Sequence, residues 1–182
     1  MNPPRRDRSP AFLRGTALPL AVLVAAAAPR AGAQLAGPHG QTIGGVACDA
    51  QEGQRIHIHQ HLAILDRGAA VTVPFDVGRP TGIPCLYWLH THTPDGIIHI
   101  EAPVDRSFTL GHFFDVWGQP LSRTRAASAV VTKGERMRVW VDGKVYPGDP
   151  RAIKLGDHTD IVIEVGPPYS KPAPFTAWNG AQ

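Results

Sequence analysis

Residues 55–64 read R-I-H-I-H-Q-H-L-A-I, and this stretch decides the expected fold. Its histidines fall on alternate positions, and isoleucine or leucine fills most of the positions between them. Such alternation is typical of a β-strand with one buried and one polar face. Because alternate side chains point the same way, the polar face carries His57, His59 and His61. We expect the other face to lie on the hydrophobic core.

A second stretch, residues 89–101, repeats the pattern and reads L-H-T-H-T-P-D-G-I-I-H-I-E. It predicts two strands joined by a turn, since the P-D-G sequence in its middle favours a chain reversal. His90 and His92 lie two positions apart on the first strand, and His99 and Glu101 lie two positions apart on the second. Each pair therefore shares one face of its own strand.

The length of the turn decides whether the two pairs meet. A loop with an even number of residues puts both pairs on one face of the hairpin. A three-residue loop, residues 94–96 with a bulge at the glycine, sends the second pair to the opposite face. We expect an even loop, because Ile98 and Ile100 then share an apolar face with Tyr87 and Leu89.

The strand pattern collects six histidines and one glutamate that could converge: His57, His59, His61, His90, His92, His99 and Glu101. Imidazole and carboxylate groups are common ligands of Zn, Cu, Fe and Mn ions. We expect the histidines to bind one of these transition metals, whose identity the pattern leaves open. Glu101 is the candidate general base or outer-shell acceptor. The alternative is a metal-free domain whose histidines lie on an exposed face.

The chain has two cysteines, Cys48 and Cys85, which precede the two histidine stretches. An even pair in an exported protein usually forms a disulfide, and no C-x-x-C spacing favours thiolate ligation instead. A bond between them would link the two chain segments that precede the histidine strands.

Residues 1–33 have the features of a secretory signal peptide: a basic start, an apolar run at residues 17–28, and the small residues Ala31-Gly32-Ala33. We therefore expect an exported protein, periplasmic or extracellular. This segment holds five of the 18 basic residues and one of the 15 acidic ones, so the remainder is nearly neutral. The charge gives no support for nucleic acid as a partner, and no later apolar run predicts membrane insertion.

The rest of the chain divides into three parts. Residues 34–54 are predicted to be irregular, residues 55–166 to form a single β-rich metal-binding domain, and residues 167–182 to form a proline-rich tail. One apolar stripe has helical spacing and predicts a short helix that starts after Thr109 and ends at Gly118. The expected class is mainly β, a β-sandwich or small barrel with one short helix, and the alternative is an α+β fold.

Three motifs carry a resemblance: H-I-H-Q-H-L-A-I, then L-H-T-H-T-P-D-G-I-I-H-I-E, then F-T-L-G-H-F-F-D-V-W-G. Together they resemble a group of exported bacterial proteins over residues 48–165, which implies export but no particular reaction. The chain is also loosely similar to the cupins, with His90, His92 and Glu101 matched to the first cupin motif. Here the glutamate comes later than in cupins and the second cupin motif is missing.

These features leave three hypotheses for the function. The first is an exported protein that binds a transition metal through strand histidines. The second is a metalloenzyme at the same site, a cupin-like oxygenase or a metal-assisted hydrolase, acting on a small-molecule substrate. The third is a metal-free structural or interaction domain.

Overall fold

The structure is a computed structural model that describes Met1 and residues 40–178. Apart from Met1, the predicted signal peptide lies outside the described residues, as do residues 34–39 and 179–182.

The described part of the chain consists mainly of short strands. In chain order the elements are β1 (Cys48–Asp49), β2 (Ile56–Asp66), β3 (Ala69–Val71), β4 (Leu86–Tyr87), β5 (Leu89–His90), β6 (Ile97–Ala102), α1 (Leu110–Trp117), β7 (Leu121–Ser122), β8 (Arg125–Ala126), β9 (Ala129–Val130), β10 (Met137–Val141), β11 (Lys144–Val145), a 3-10 turn (Pro150–Ala152) and β12 (Thr159–Val165).

Strand β2, which contains the first histidine stretch, is central to a seven-stranded mixed sheet. It pairs in parallel with β12 on one side, and antiparallel with β6 and β3 on the other. The sheet order is β11-β10-β12-β2-β6-β5, with β3 joined to β2. The eleven residues of β2 confirm that the alternating sequence forms a strand.

The apolar face of this sheet forms the core. Leu62 of β2, Ile98 and Ile100 of β6, and Ile161 and Ile163 of β12 are all buried on that face. Helix α1 packs beside β5, and the small sheet of β7, β8 and β9 contacts β2 and β12. The opposite face, which carries the histidines, is consequently free to form a site.

Helix α1 begins and ends as its sequence predicts. The Thr109 hydroxyl accepts a hydrogen bond from the His112 backbone N–H, and His112 Nδ1 accepts one from the Thr109 N–H, which together form a capping box. Gly118 closes the helix in the left-handed conformation, with φ of 69°. His112 therefore stabilises a helix end.

The proline-rich tail runs across part of the polar face of the sheet. The Tyr169 hydroxyl donates to the Arg136 carbonyl oxygen, and the Ser170 N–H donates to Glu164 Oε1. Further along, the Phe175 N–H donates to Asp160 Oδ2 at 3.0 Å. The tail thus covers the β10–β12 side of this face.

Cys48 and Cys85 form the predicted disulfide, with their Cα atoms 5.3 Å apart. The bond lies beside the β1–β4 pair, in which Cys48 stands opposite Tyr87. The structure confirms the mainly-β class with one short helix. None of the sheets in the described residues closes into a barrel.

Candidate metal site

The register of three strands brings the two histidine stretches together. On β2 and β6, His59 stands opposite His99 and His57 stands opposite Glu101. On β5 and β6, His90 stands opposite His99. This is the register of an even loop, so His99 and Glu101 share the polar face with His90.

The turn between β5 and β6 is built by specific contacts. Asp95 accepts a hydrogen bond from the Ile97 N–H, and the Gly96 carbonyl accepts one from the Leu62 N–H of β2. Gly96 has φ of 83°, and a Cβ atom there would lie 2.4 Å from the Leu62 carbonyl oxygen. Only glycine fits this position, which docks the turn against the neighbouring strand.

Strand β5 is shorter than the alternating sequence predicts, and it ends at His90. The next residue, Thr91, leaves the ladder: its N–H donates to the Val77 carbonyl, and its hydroxyl donates to the Pro74 carbonyl at 2.6 Å. His92 therefore lies outside the ladder, but its ring returns to within 4.4 Å of the His99 ring, centroid to centroid.

Four side chains form a first group with the geometry of a metal site, which we call group A: His90, His92, His99 and Glu101. Their ligand atoms all lie within 4.8 Å of one another. His90 Nε2 is 3.0 Å from His92 Nε2 and 3.8 Å from Glu101 Oε2. Ligands about 2.0–2.1 Å from one ion, at angles of about 90–110°, are about 2.9–3.4 Å apart. The distance between His90 and His92 falls in that range, and the distance between His90 and Glu101 is longer.

The hydrogen bonds of His90 orient it as a ligand. Its Nδ1 lies 2.9 Å from the Tyr87 carbonyl oxygen, which can only accept, so Nδ1 carries the hydrogen. The neutral ring then presents the lone pair of Nε2 to the cluster, where His92 lies. Such a hydrogen bond on the second ring nitrogen is the usual way in which proteins orient a metal-binding histidine.

A second group, which we call group B, consists of His57, His59 and His99. Their ligand atoms also lie within 4.8 Å of one another, so His99 belongs to both groups. His59 Nε2 and His99 Nδ1 are buried and have no hydrogen-bond partner among the described residues. Buried polar atoms normally have a partner, so these two are placed to receive a ligand.

Burial keeps the clustered imidazoles neutral. It lowers the pKa of His90 from 6.5 to about 4 and, together with the neighbouring histidines, the pKa of His99 to about 3. Burial also lowers the pKa of His59 and His92. The same burial, with the nearby charge of Glu52, raises the pKa of Glu101. At neutral pH these imidazoles have free lone pairs, which a metal ion requires.

The structure places His61 apart from both groups. Its Nδ1 lies 2.8 Å from Asp160 Oδ1, and its ring stacks on Phe175 with centroids 3.8 Å apart. The parallel pairing of β2 with β12 sets Asp160 directly beside His61. Five of the six predicted histidines thus belong to the two groups, and the sixth packs under the tail.

An open cleft of about 620 Å³ adjoins group A and reaches His92. Its wall includes Glu52, Arg79 and the exposed ring of Phe75. The negative charge of Glu52 contributes, after burial, to the raised pKa of Glu101, and the charge of Arg79 lowers the pKa of His92 after burial. The sequence analysis did not identify Glu52 or Arg79, because both lie in segments without a regular pattern.

Comparison with known protein families, curated proteins and solved structures finds no match to this chain. The resemblance to exported bacterial proteins therefore stays a prediction. Within the described residues, no helix is both long enough and apolar enough to span a bilayer. Buried histidine groups that could hold a metal ion are the clearest functional feature of the molecule.

Proposed function

We propose that this protein binds a divalent first-row transition metal through group A. The observation that carries the proposal is the convergence of His90, His92, His99 and Glu101 with all ligand atoms within 4.8 Å of one another. Three imidazoles and a carboxylate supply enough ligands for a tetrahedral ion, or for a larger coordination sphere with an open position.

The cost of burying this cluster supports the proposal. His99 Nδ1 and Glu101 Oε2 are buried without a hydrogen-bond partner among the described residues. Each unpaired buried group lowers the stability of the folded protein by about 1–3 kcal/mol, and coordination to a metal ion would offset that loss. Two such groups at one point on the sheet favour a bound ion over a metal-free structural domain.

The ligand types restrict the metal to an ion that accepts nitrogen and oxygen. Zn, Cu, Fe and Mn all meet this condition. Cys48 and Cys85 are not available as thiolates, because they form a disulfide. That disulfide, together with the resemblance to exported bacterial proteins, supports a periplasmic or extracellular location.

A metalloenzyme is the second candidate, and the cleft beside His92 favours it. A pocket of about 620 Å³ is large enough for a small-molecule substrate. In such an enzyme His90, His92 and His99 would hold the ion, which would supply Lewis acidity to the substrate. Arg79 would attract an anionic group of the substrate. Glu52 would accept a proton, because Glu101 is engaged among the ligands.

Metal analysis of purified protein tests the proposal. The chain is stripped with a chelator, reconstituted separately with Zn²⁺, Cu²⁺, Fe²⁺ and Mn²⁺, desalted, and measured by elemental analysis. We expect at least one ion per chain for one of these metals, and a loss of at least about 100-fold in its affinity in His90→Ala and His92→Ala.

The control is His158→Asn, since His158 is half-exposed and belongs to neither group. Asparagine tolerates the positive φ of 56° at that position. This variant is expected to retain the metal. A wild-type chain that retains none of the four metals would contradict the proposal.

A further inference from the structure

Group A leaves two histidines of the cluster unused, His57 and His59. Both lie on β2 beside His99, with which they form group B. We propose that a second divalent transition-metal ion binds group B, next to the first, and that the Glu101 carboxylate bridges the two ions. This inference rests on the proposed function, because it adds an ion to the same site.

The orientation of Glu101 is the first argument. Its Oε1 atom lies 3.3 Å from His57 Nε2 and 3.6 Å from His99 Nδ1. Its Oε2 atom lies 3.8 Å from His90 Nε2. One oxygen thus approaches a ligand of group B and the other approaches a ligand of group A. A carboxylate in this position can bind one ion with each oxygen.

The second argument is that one ion cannot use all the donors. His57 and His59 fall outside the set of atoms that lie within 4.8 Å of one another around His90 and His92. Ligands of a single ion must be closer together than that. Two neighbouring ions, one bound to each ring nitrogen of His99, would use both sets, and the ring would release its N–H proton to solvent when the second ion binds.

His59 supplies the third and independent argument. His59 is 7% exposed, and its Nε2 atom is buried with no hydrogen-bond partner among the described residues. Group A does not include this atom, so the first ion leaves it unsatisfied. An ion held with His57 and His99 would provide the missing partner.

Nearby carboxylates reduce the repulsion between two cations. Asp157 Oδ1 accepts a hydrogen bond from the backbone N–H of His59, a group B residue, at 3.2 Å. Glu52 lies with His92 in the wall of the cleft, on the group A side. With Glu101 between the ions, three carboxylates lie around the pair. Group A offers four ligands and group B offers three, so we expect group B to fill second.

Stoichiometry and spin coupling test the second ion. Stripped wild-type protein is titrated with Zn²⁺, and bound zinc is measured after desalting. Two ions per chain are expected, bound in two steps. The same protein loaded with Mn²⁺ is expected to show the exchange-coupled electron paramagnetic resonance spectrum of neighbouring ions, with narrower hyperfine spacing than an isolated ion.

Two substitutions on β2 form a matched pair. His59→Phe removes a group B ligand, whereas His61→Phe removes a histidine from the same strand and face that belongs to neither group. We expect His59→Phe to bind one ion and His61→Phe to bind two. His57→Ala repeats the first test at a half-exposed position, where folding is not at risk. In His57→Ala the second step should weaken at least about 100-fold, and the coupled spectrum should disappear.

The outcomes separate this inference from the proposed function. A wild-type chain that binds one ion, or two ions of which neither is lost in His57→Ala and His59→Phe, would overturn the second site and leave the first intact. A wild-type chain that binds no metal would overturn both.

Discussion

The rings of His59 and His99 face each other across the paired strands β2 and β6, with centroids 4.6 Å apart and planes nearly perpendicular. His99 also lies beside His92 and His90 on its other side. It is thus the one residue that belongs to both candidate ligand groups among the described residues. The site depends on this position more than on any other.

Substitution of His99 should therefore affect metal binding more than substitution of His57. In His99→Phe we expect both zinc-binding steps to weaken by at least about 100-fold, since each group loses a ligand. In His57→Ala only the second step should weaken. Isothermal titration of stripped protein with Zn²⁺ measures both steps. An unchanged first step in His99→Phe would show that His99 is not a ligand in group A.

Metal affinity should persist to lower pH than is usual for histidine ligands. A proton competes with the metal only below the pKa of the folded protein, which is about 4 for His90 and about 3 for His99. An unperturbed histidine site would instead lose affinity as the pH falls through about 6.5. Protonation of His90 and His99 should therefore change the zinc affinity little between pH 7 and pH 5. The affinity is measured against a competing chelator, with a correction for the protonation of that chelator. A steep fall centred near pH 6.5 would contradict this.

The metal-free protein should lose stability on acidification. The lowered pKa of His90 means that the unfolded chain takes up a proton near pH 6.5, whereas the folded chain does so only near pH 4. The free energy of unfolding should therefore fall as the pH drops from 6.5 to about 4, and His90 alone accounts for about 3 kcal/mol of this loss. The raised pKa of Glu101 acts in the opposite direction and offsets part of this loss.

Urea unfolding of stripped protein at pH 7 and pH 4.5 measures that loss. The variant His90→Phe, which has no ionisable ring, is expected to show a smaller difference between the two pH values. An equal difference in both proteins would contradict the assignment to His90.

Gln60 points toward the core from the same strand, and its replacement should stabilise the protein. The residue is fully buried, and both polar atoms of its amide lack a hydrogen-bond partner among the described residues. Gln60→Met retains the shape and removes the unpaired groups, so we expect the free energy of unfolding to rise by about 1–3 kcal/mol. Metal affinity should not change, because Gln60 lies on the opposite face from the histidines. A fall in stability would mean that the amide has a partner.

Loss of the disulfide should lower the stability of the protein and make the wall of the cleft more mobile. The bond joins residues separated by 37 positions, and the chain-entropy relation gives about 4 kcal/mol for a loop of that length. We expect Cys48→Ala/Cys85→Ala to lose stability on that order in urea unfolding. Because Cys85 lines the cleft, hydrogen exchange over residues 75–85 should also become faster. Unchanged exchange there would show that the cleft wall does not depend on the bond.

Local alternation was enough to predict β2 and β6 and the relation between the two histidine stretches, but not β1, which lies in the segment 34–54 that was predicted to be irregular. The predicted even register is the one observed, although P-D-G alone favours a three-residue turn. Burial of Ile98 and Ile100 outweighs that local preference, because a shift by one residue would expose both. The boundaries of α1 were predictable from its capping residues, and the pairing of Cys48 with Cys85 was predictable because the chain has two cysteines.

Contacts between distant segments were not predictable from the pattern. The partner of His61 is Asp160, which lies 99 residues away in sequence and depends on the parallel pairing of β2 with β12. The cleft likewise depends on irregular segments that contribute Glu52 and Arg79. No alternation of polar and apolar residues marks such positions, so only the folded chain reveals them.

The central claim is that group A binds a metal, and anomalous diffraction tests it most directly. Crystals of stripped protein are soaked in Zn²⁺, and data are collected on both sides of the zinc absorption edge. We predict a strong anomalous peak about 2.0–2.1 Å from both His90 Nε2 and a nitrogen of His92. Zinc found only at exposed histidines such as His158, with no peak beside His90, would contradict the account.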